Sequence, residues 1–176
     1  MDIAALAISV LSLIIAGLAL GWQIAVWALN GPRIRTVLQH GVIGRGGAVV
    51  TTVGRDKKLR DMSSMREQGW NGPDVIAVLV TNTGRLRAKI TRFGVHLKRS
   101  GMSVQYPAGN KWSPELPHWL EPGESATWYV DMQDARALVY ATRQTGQTGA
   151  GGVFMTVETG TGKTIATPRQ IEFDRS

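Results

Sequence analysis

The chain has 176 residues, a formal net charge of +7 and no cysteine. The absence of cysteine excludes thiol catalysis, and it fits both a reducing compartment and an exported bacterial protein. All 20 Lys and Arg, but only 12 of the 13 acidic residues, follow residue 32, which gives that part of the chain a charge of +8. Such a charge attracts anionic lipid headgroups and nucleic acid.

The first predicted element is an apolar helix from Ile3 to Leu29, 27 residues without one charged side chain. An α-helix rises about 1.5 Å per residue, so roughly 20 residues cross a bilayer core of about 30 Å. A secretory signal peptide would have a basic start, an apolar core of about 7 to 15 residues and a cleavage site between small residues. The stretch has none of these features, so the sequence predicts a retained membrane span rather than a cleaved signal or a buried helix.

The end of this helix is predicted from tryptophan, glycine and proline. Tryptophan suits the lipid–water interface, so we expect the hydrocarbon span over about residues 3–21. Residues 30–32 (Asn-Gly-Pro) predict the helix stop, because Gly favours the left-handed cap and Pro cannot continue the helix. The predicted domains are therefore an anchor, residues 1–32, and a second domain, residues 33–176. The residues predicted at the membrane interface are Trp22, Trp27, Arg33 and Arg35.

Basic residues flank the helix only on its C-terminal side. The positive-inside rule therefore predicts a single-pass protein of the bacterial inner membrane, with its N-terminus outside and its second domain in the cytoplasm. Gly17 and Gly21 form a GxxxG pair, a spacing that lets two helices pack closely in lipid. The alternative is that both are ordinary small residues of a span.

Short β-branched runs separated by glycine turns predict a second domain of seven to eight strands. We expect a polar excursion with a short helix over residues 55–72, a structured loop over 106–120 and a glycine-rich loop over 145–152. Asp131 is predicted to cap a helix over residues 132–142. The chain is thus predicted to be mainly β, an N-terminal transmembrane helix followed by an immunoglobulin-like β-sandwich with one short crossover helix. The predicted strands are 33–42, 48–53, 74–81, 86–97, 104–106, 125–130, 153–159 and 163–170.

Two of these strands have distinctive patterns. Residues 75–80 are apolar at every position, so their strand is expected to be covered on both faces and to lie centrally in its sheet. In the next strand, apolar residues alternate from Leu86 to Ile90, but the apolar residues from Phe93 onward have the other parity. Because side chains alternate strictly along a strand, this change predicts a β-bulge at residues 91–92.

Three segments carry a resemblance to known proteins: residues 80–97 (VTNTGRLRAKITRFGVHL), 116–131 (LPHWLEPGESATWYVD) and 153–168 (VFMTVETGTGKTIATP). Their order of strands, turns, helix and hairpin resembles a domain of uncharacterised bacterial and phage membrane-anchored proteins. The resemblance implies an N-terminal anchor and an immunoglobulin-like domain, and it brings no catalytic residues. Its motifs are turn and core residues, which specify a fold and no chemistry.

Patterns that would indicate catalysis are incomplete. Residues 160–164 (GTGKT) look like the end of a phosphate-binding loop, but Val157 stands where that motif needs glycine and a strand-like segment follows. We therefore predict a hairpin turn there. The three histidines lack metal-ligand spacing. A triad of Ser113, His118 and Asp131 could be drawn, but no nucleophile-elbow motif supports it. The sequence predicts a non-enzymatic protein without cofactor or metal.

Basic residues are the strongest remaining functional signal, because such residues bind anionic lipid or nucleic acid. The plainer alternative is a solvated sheet face. Trp112 and Trp119 in the Pro-rich loop could anchor a protein partner, or they could pack the loop onto the sandwich. The predicted basic patch consists of Arg55, Lys57, Lys58, Arg60, Arg85, Arg87, Lys89 and Arg92.

The leading hypothesis is a membrane-anchored, non-enzymatic interaction module that binds a protein partner or self-associates at the membrane. A second is a phage- or defence-linked membrane effector that oligomerises through its helix and perturbs the bilayer. A third is a membrane-tethered protein that binds nucleic acid or anionic lipid. The expected partners are membrane lipids, from an anionic inner leaflet, and an unknown protein or a second copy. Nucleic acid ranks lower, and no small-molecule substrate is predicted.

Overall fold

The computed structural model describes residues 3–29, 31–145 and 151–173. Asn30 in the predicted helix stop, residues 146–150 of the predicted glycine-rich loop and the side chain of Trp27 lie outside the described part. The chain is mainly β, as predicted. Its elements are α1 (Ile3–Leu29), β1 (Ile34–Gly44), β2 (Gly47–Thr52), α2 (Ser63–Glu67), β3 (Asp74–Asn82), β4 (Ala88–Leu97), β5 (Ser103–Tyr106), β6 (His118–Leu120), β7 (Ser125–Asp131), α3 (Met132–Gln144), β8 (Val153–Thr159) and β9 (Thr164–Ala166).

The N-terminal helix α1 covers the predicted range. Its segment Ile3–Val26, 24 residues, is long and apolar enough to cross a membrane, and none of that segment's most apolar window is buried against the rest of the chain. A helix of this length and hydrophobicity presents an unpartnered apolar surface when it is in water. The helix therefore stands apart from the β-rich remainder.

The strands form two antiparallel sheets. The first has the order β2-β1-β3-β7, and the second has the order β5-β4-β8-β9 with β6 also paired to β4. Large side chains of both sheets are buried together in one core, among them Leu38 and Trp128 from the first sheet and Phe93 and Met155 from the second. The burial of these alternating apolar residues stabilises the two-layer arrangement.

Strand β3 is central, as predicted. It pairs with β1 on one side and with β7 on the other. The four successive residues from Val75 to Val78 are all fully buried. Since successive side chains point to opposite faces, both faces of β3 are covered.

The bulge predicted in β4 is confirmed. The register between β4 and β8 shifts between Ile90, opposite Thr159, and Arg92, opposite Glu158. The prediction that the strand begins at Leu86 is wrong, because β4 begins at Ala88 and Leu86 is exposed. The reason is local: the Asn82 side-chain amide donates to the Leu86 carbonyl, at 2.8 Å, and holds the intervening residues in a turn.

The helix between the sheets also follows its sequence signals. Asp131 caps α3, and its carboxylate accepts a hydrogen bond from the Gln133 backbone N–H at 2.8 Å. This bond satisfies one of the backbone donors that a helix leaves free at its first turn. The predicted apolar stripe, Ala135, Leu138, Val139 and Thr142, is buried.

One strand was not predicted. Residues 106–120 were expected to be a structured loop throughout, but His118–Leu120 form β6 and pair with the start of β4. A three-residue strand directly after Pro117 is too short to show alternation, which is why the pattern hid it. Its pairing buries Leu120 and leaves Trp119 exposed on the other face.

The hairpin predicted around residues 160–162 is confirmed. β8 and β9 pair across it, and the Thr159 N–H donates to the Lys163 carbonyl at 3.0 Å. Gly162 has a φ of 80°, which favours glycine. β9 ends at Ala166, so the second strand is shorter than the predicted 163–170.

The polar excursion after β2 is tied to the first sheet through a buried histidine. His40 is 2% exposed, and its Nε2 accepts a hydrogen bond from the Arg60 backbone N–H at 3.0 Å. Burial, and then the positive charge of Arg60, hold the pKa of His40 below the ordinary value of 6.5, against the opposing effect of Asp74. The folded state therefore favours the neutral ring, which keeps this acceptor.

The lowered pKa of His40 predicts a pH dependence of stability. The unfolded chain takes up the proton near pH 6.5, whereas the folded chain takes it up at lower pH, so the free energy of unfolding falls as the pH drops below 6.5. His96, whose burial also lowers its pKa, adds to the same slope. The free energy of unfolding is measured by urea unfolding of the full chain in neutral detergent at several pH values. Between neutral pH and pH values below 6.5 it should fall less for His40→Gln than for the wild type. An unchanged slope would contradict the role given to His40.

Candidate functional site

The strand registers bring several chain segments to one end of the sandwich. β1 begins at Ile34, opposite Asn82 at the end of β3. β4 begins shortly after that point, at Ala88, and its Ile90 lies opposite Thr159 at the end of β8. The starts of β1 and β4 and the β8–β9 turn therefore meet at the end where the chain arrives from α1.

A cleft of about 730 Å³ lies at this end. Its lining comes from both sheets and from the segment before β1, namely residues 32–34, 87–89, Trp119, 159–161 and 163–166. The volume falls within the range of small-molecule sites, about 300–1,000 Å³.

The cleft carries four cations, Arg33, Arg87, Lys89 and Lys163, and no carboxylate belongs to its lining. The ion pairs among the described residues lie elsewhere and use other basic side chains. Four cations on one concave surface repel one another unless an anion enters between them. The arrangement therefore suits a ligand with negative charge.

Trp119 is the aromatic wall of the cleft. The Arg87 guanidinium carbon lies 4.5 Å from the centre of the indole, and the Lys89 ammonium lies 5.6 Å from it. These distances are within the range of cation–π attraction, which holds both cations at the ring. The indole itself remains 46% exposed. A bound group can therefore meet the cations and the aromatic ring together.

Backbone and hydroxyl bonds hold the remaining walls. The Gly160 N–H donates to the Lys89 carbonyl at 2.7 Å, which ties the β8–β9 turn to β4. The Thr159 and Thr161 hydroxyls lie 2.9 Å apart and share a hydrogen bond. Across the cleft, the Thr36 hydroxyl donates to the Ala166 carbonyl at 2.9 Å and joins β1 to β9. The site is thus built on paired strands rather than on a free loop.

The segment between α1 and β1 packs against the turn between β3 and β4. The Thr83 N–H and hydroxyl both donate to the Arg33 carbonyl, at 2.7 and 3.1 Å. A Cβ atom on Gly84 would lie 2.3 Å from the Arg33 nitrogen and 2.5 Å from the Gly31 oxygen. Arg33 follows Leu29 by four residues, so it lies within about 14 Å of the end of α1.

The predicted basic patch is distributed over several surfaces. Arg87 and Lys89 line the cleft. Lys57 pairs with Glu172 at 2.7 Å and Arg92 with Glu158 at 3.1 Å. Arg60 lies 3.8 Å from Asp56. Arg55, Lys58 and Arg85 are exposed and are not among the cleft residues.

The other residues singled out in the sequence are also separated. Trp112 is half-buried outside the cleft, and the Lys111 ammonium lies 4.5 Å from the centre of its ring. Trp22 is exposed on α1, and a Cβ atom on Gly17 or Gly21 would meet nothing within 4 Å. Arg35 is exposed at the start of β1.

Sequence reasoning missed Lys163 and did not connect Arg33 with the other cleft cations. Lys163 lies in the GTGKT turn, which resembles the end of a phosphate-binding loop but lacks the first glycine of that motif. A hairpin turn that follows a strand paired to the start of β4 must lie beside Arg87 and Lys89. The signal was therefore present in the hairpin, but it required knowledge that β8 pairs with β4.

The triad that could be drawn from the sequence is not assembled. The Ser113 hydroxyl accepts from the Tyr129 N–H at 2.8 Å, and the Asp131 carboxylate caps α3. No hydrogen bond joins the side chains of Ser113, His118 and Asp131 in the described part of the chain. Nor do three or more histidine or acidic side chains gather there as metal ligands.

No protein-family model, no curated protein and no solved structure matches the chain. The resemblance to membrane-anchored proteins with an immunoglobulin-like domain therefore stays a prediction from turn and core residues.

The close packing of Gly84 predicts that Gly84→Ala destabilises the protein. The added methyl group must displace the backbone of residues 31–33, at a cost of about 1–3 kcal/mol. Urea unfolding of the full chain in neutral detergent measures this difference. Gly46→Ala is the matched control, because a Cβ atom there meets nothing within 4 Å. Equal stability of the two variants would contradict the close contact.

Proposed function

We propose that this chain is a single-pass membrane protein that serves as a non-enzymatic interaction module, binding a protein partner or a second copy at the membrane. The observation that carries the proposal is α1, whose segment Ile3–Val26 is apolar, exposed and long enough to cross a bilayer. Insertion in lipid removes this apolar surface from water and satisfies every helical backbone group internally. The rest of the chain is then a domain held beside the membrane.

The fold proposed for that domain is an immunoglobulin-like sandwich. The strand order β1-β3-β7 in one sheet and β5-β4-β8-β9 in the other supports it. It corresponds to the order A-B-E and C′-C-F-G of immunoglobulin-type sheets. The β1–β2 hairpin and the helix α3 between the sheets are additions to that pattern. In variable immunoglobulin domains, the loops at one end of the sandwich form the binding site, and the cleft of this chain also lies at one end.

Exposed Trp119 supports the binding of a partner by this end of the sandwich. Tryptophan and arginine dominate the energetically important positions of protein interfaces, and Trp119 and Arg87 are in contact. Ser113 and Asp131 of the drawable catalytic triad are engaged in structural hydrogen bonds, which favours binding over catalysis.

For orientation, we propose that the N-terminus lies outside and the sandwich lies in the cytoplasm, at the inner membrane of a bacterium. The charge distribution supports this direction, since every Lys and Arg of the chain follows residue 32. Cationic flanks are retained on the cytoplasmic side during insertion.

Topology is the first experimental test. A reporter that is active only in the cytoplasm, fused after Ser176, should be active, and a reporter that requires the periplasm should be inactive at the same position. Changing both Arg33 and Arg35 to Gln removes two of the positive charges that flank the helix. This variant should lower the ratio of cytoplasmic to external reporter activity. Activity of the periplasmic reporter alone would overturn the proposed orientation.

Self-association through α1 is tested with Gly17→Ile. If the GxxxG pair packs two helices, the added side chain separates them and should weaken the dimer about tenfold, or about 1.4 kcal/mol. Sedimentation equilibrium of the full chain in neutral detergent measures the dissociation constant. Ala19→Ile is the matched control, because residue 19 lies on the opposite face of the helix from residues 17 and 21. A monomeric wild type would exclude this mode of association.

A further inference from the structure

The cleft at the α1 end has the composition of an oxyanion site. Guanidinium and ammonium groups form charge-assisted hydrogen bonds to phosphate and carboxylate oxygens. Arg33, Arg87, Lys89 and Lys163 line one concavity, and none of the four has an ion-pair partner among the described residues. Their unneutralised charge is the first argument for an anionic ligand.

The geometry of the Arg87 guanidinium group favours phosphate as the anionic group that binds. Arg87 is held against the face of Trp119, so its planar N–H fork is preoriented at a small entropic cost. Such a fork matches two oxygens of one tetrahedral group. Lys89 lies over the same ring and adds a point charge, and the exposed Thr164 hydroxyl of the cleft offers a further donor.

The size of the cleft indicates more than an inorganic ion. About 730 Å³ accommodates a phosphate group together with the organic part of an ester. Trp119 offers an apolar face for that part, and indole rings are enriched where lipid headgroups meet water.

The position of the cleft selects the source of the phosphate. Arg33 lies within about 14 Å of the end of α1, because only four residues separate it from Leu29. Lipids that surround an inserted helix are present there at a high effective concentration. A soluble phosphate compound has no such advantage.

We propose that this cleft binds the phosphate group of an anionic lipid headgroup, with Arg87 and Lys89 on Trp119, Lys163 from the adjacent β8–β9 turn and Arg33 from the segment before β1. The lipid source depends on the proposed function, since it requires α1 in the membrane, whereas affinity for phosphate does not. A phosphate in the cleft fixes the sandwich against the membrane surface, so the lipid acts as a second attachment point beside α1.

Nucleic acid fits the cleft less well. Proteins that bind single strands combine a long cationic groove with several aromatic rings on which successive bases stack. Trp119 is the aromatic residue of this lining, and the next cation along β4, Arg92, pairs with Glu158 at 3.1 Å. Charge thus converges at one point instead of following a strand.

The test follows the indole N–H signal of Trp119 in the full chain. The protein, with its six tryptophans labelled with ¹⁵N, is held in neutral detergent, and Trp119→Phe identifies the signal. Phosphatidylglycerol and phosphatidylcholine are titrated into the micelles separately. Inorganic phosphate is added in a third series at constant ionic strength, and a short single-stranded oligonucleotide in a fourth.

We expect phosphatidylglycerol to shift the Trp119 signal in a saturable way and phosphatidylcholine to leave it in place. Changing Arg87, Lys89 and Lys163 together to Gln should weaken the interaction about a hundredfold, or roughly fivefold for each cation. The matched control changes three exposed cations outside the cleft, Arg55, Lys58 and Lys98, and loses the same net charge. It should bind as the wild type does.

The outcomes separate the possible ligands. A shift with phosphatidylglycerol at lower concentration than with inorganic phosphate supports the lipid source. A shift with inorganic phosphate alone overturns the lipid assignment, and a stronger response to the oligonucleotide overturns it in favour of nucleic acid. An unmoved Trp119 signal, or equal weakening in both triple variants, overturns the site itself. Because the topology fusions do not depend on the cleft, such a failure leaves the membrane-anchored function standing.

Discussion

Antiparallel pairing of β1 with β3 is the interaction on which the rest of the arrangement depends. Ile34 at the start of β1 lies opposite Asn82 at the end of β3, so the chain arriving from α1 meets the turn that leads into β4. That turn then packs against residues 31–33, and the cations at the start of β4 come to the same end of the sandwich as Arg33. A register shift of one residue would turn the side chains of β1 to the opposite face.

Asn82 stabilises this junction. It is fully buried, and its amide donates to the carbonyls of Leu86 and Leu120 while its side-chain oxygen accepts from the Gly84 N–H. The Asn82 side chain thereby fixes the turn before β4 and the last residue of β6, Leu120. Trp119 directly precedes Leu120 in that strand. A buried amide with all these bonds formed specifies a single local geometry, because a partner lost in the interior costs about 1–3 kcal/mol.

The fold was more predictable than the site, because the features of the fold depend on residues close together in the sequence, whereas the site depends on residues far apart in it. The covering of β3, the bulge after Ile90 and the Asp131 cap are encoded within a few successive residues. Strand β6 is not, since its three residues become a strand only through pairing with β4. The cleft is the extreme case: Arg33, Arg87, Trp119 and Lys163 come from four separate segments, and only the sheet registers bring them together. The local sequence pattern identified the basic residues. It did not show which of them form ion pairs with acidic side chains.

The short segment between α1 and β1 also limits the distance between the sandwich and the end of the helix. Because its backbone is hydrogen-bonded to the β3–β4 turn, the sandwich has little freedom to move away from the end of the helix. In the proposed membrane setting, the four-residue separation of Arg33 from Leu29 limits the height of the domain above the helix end to about 14 Å. In that setting, a partner that binds this protein must itself reach the membrane surface.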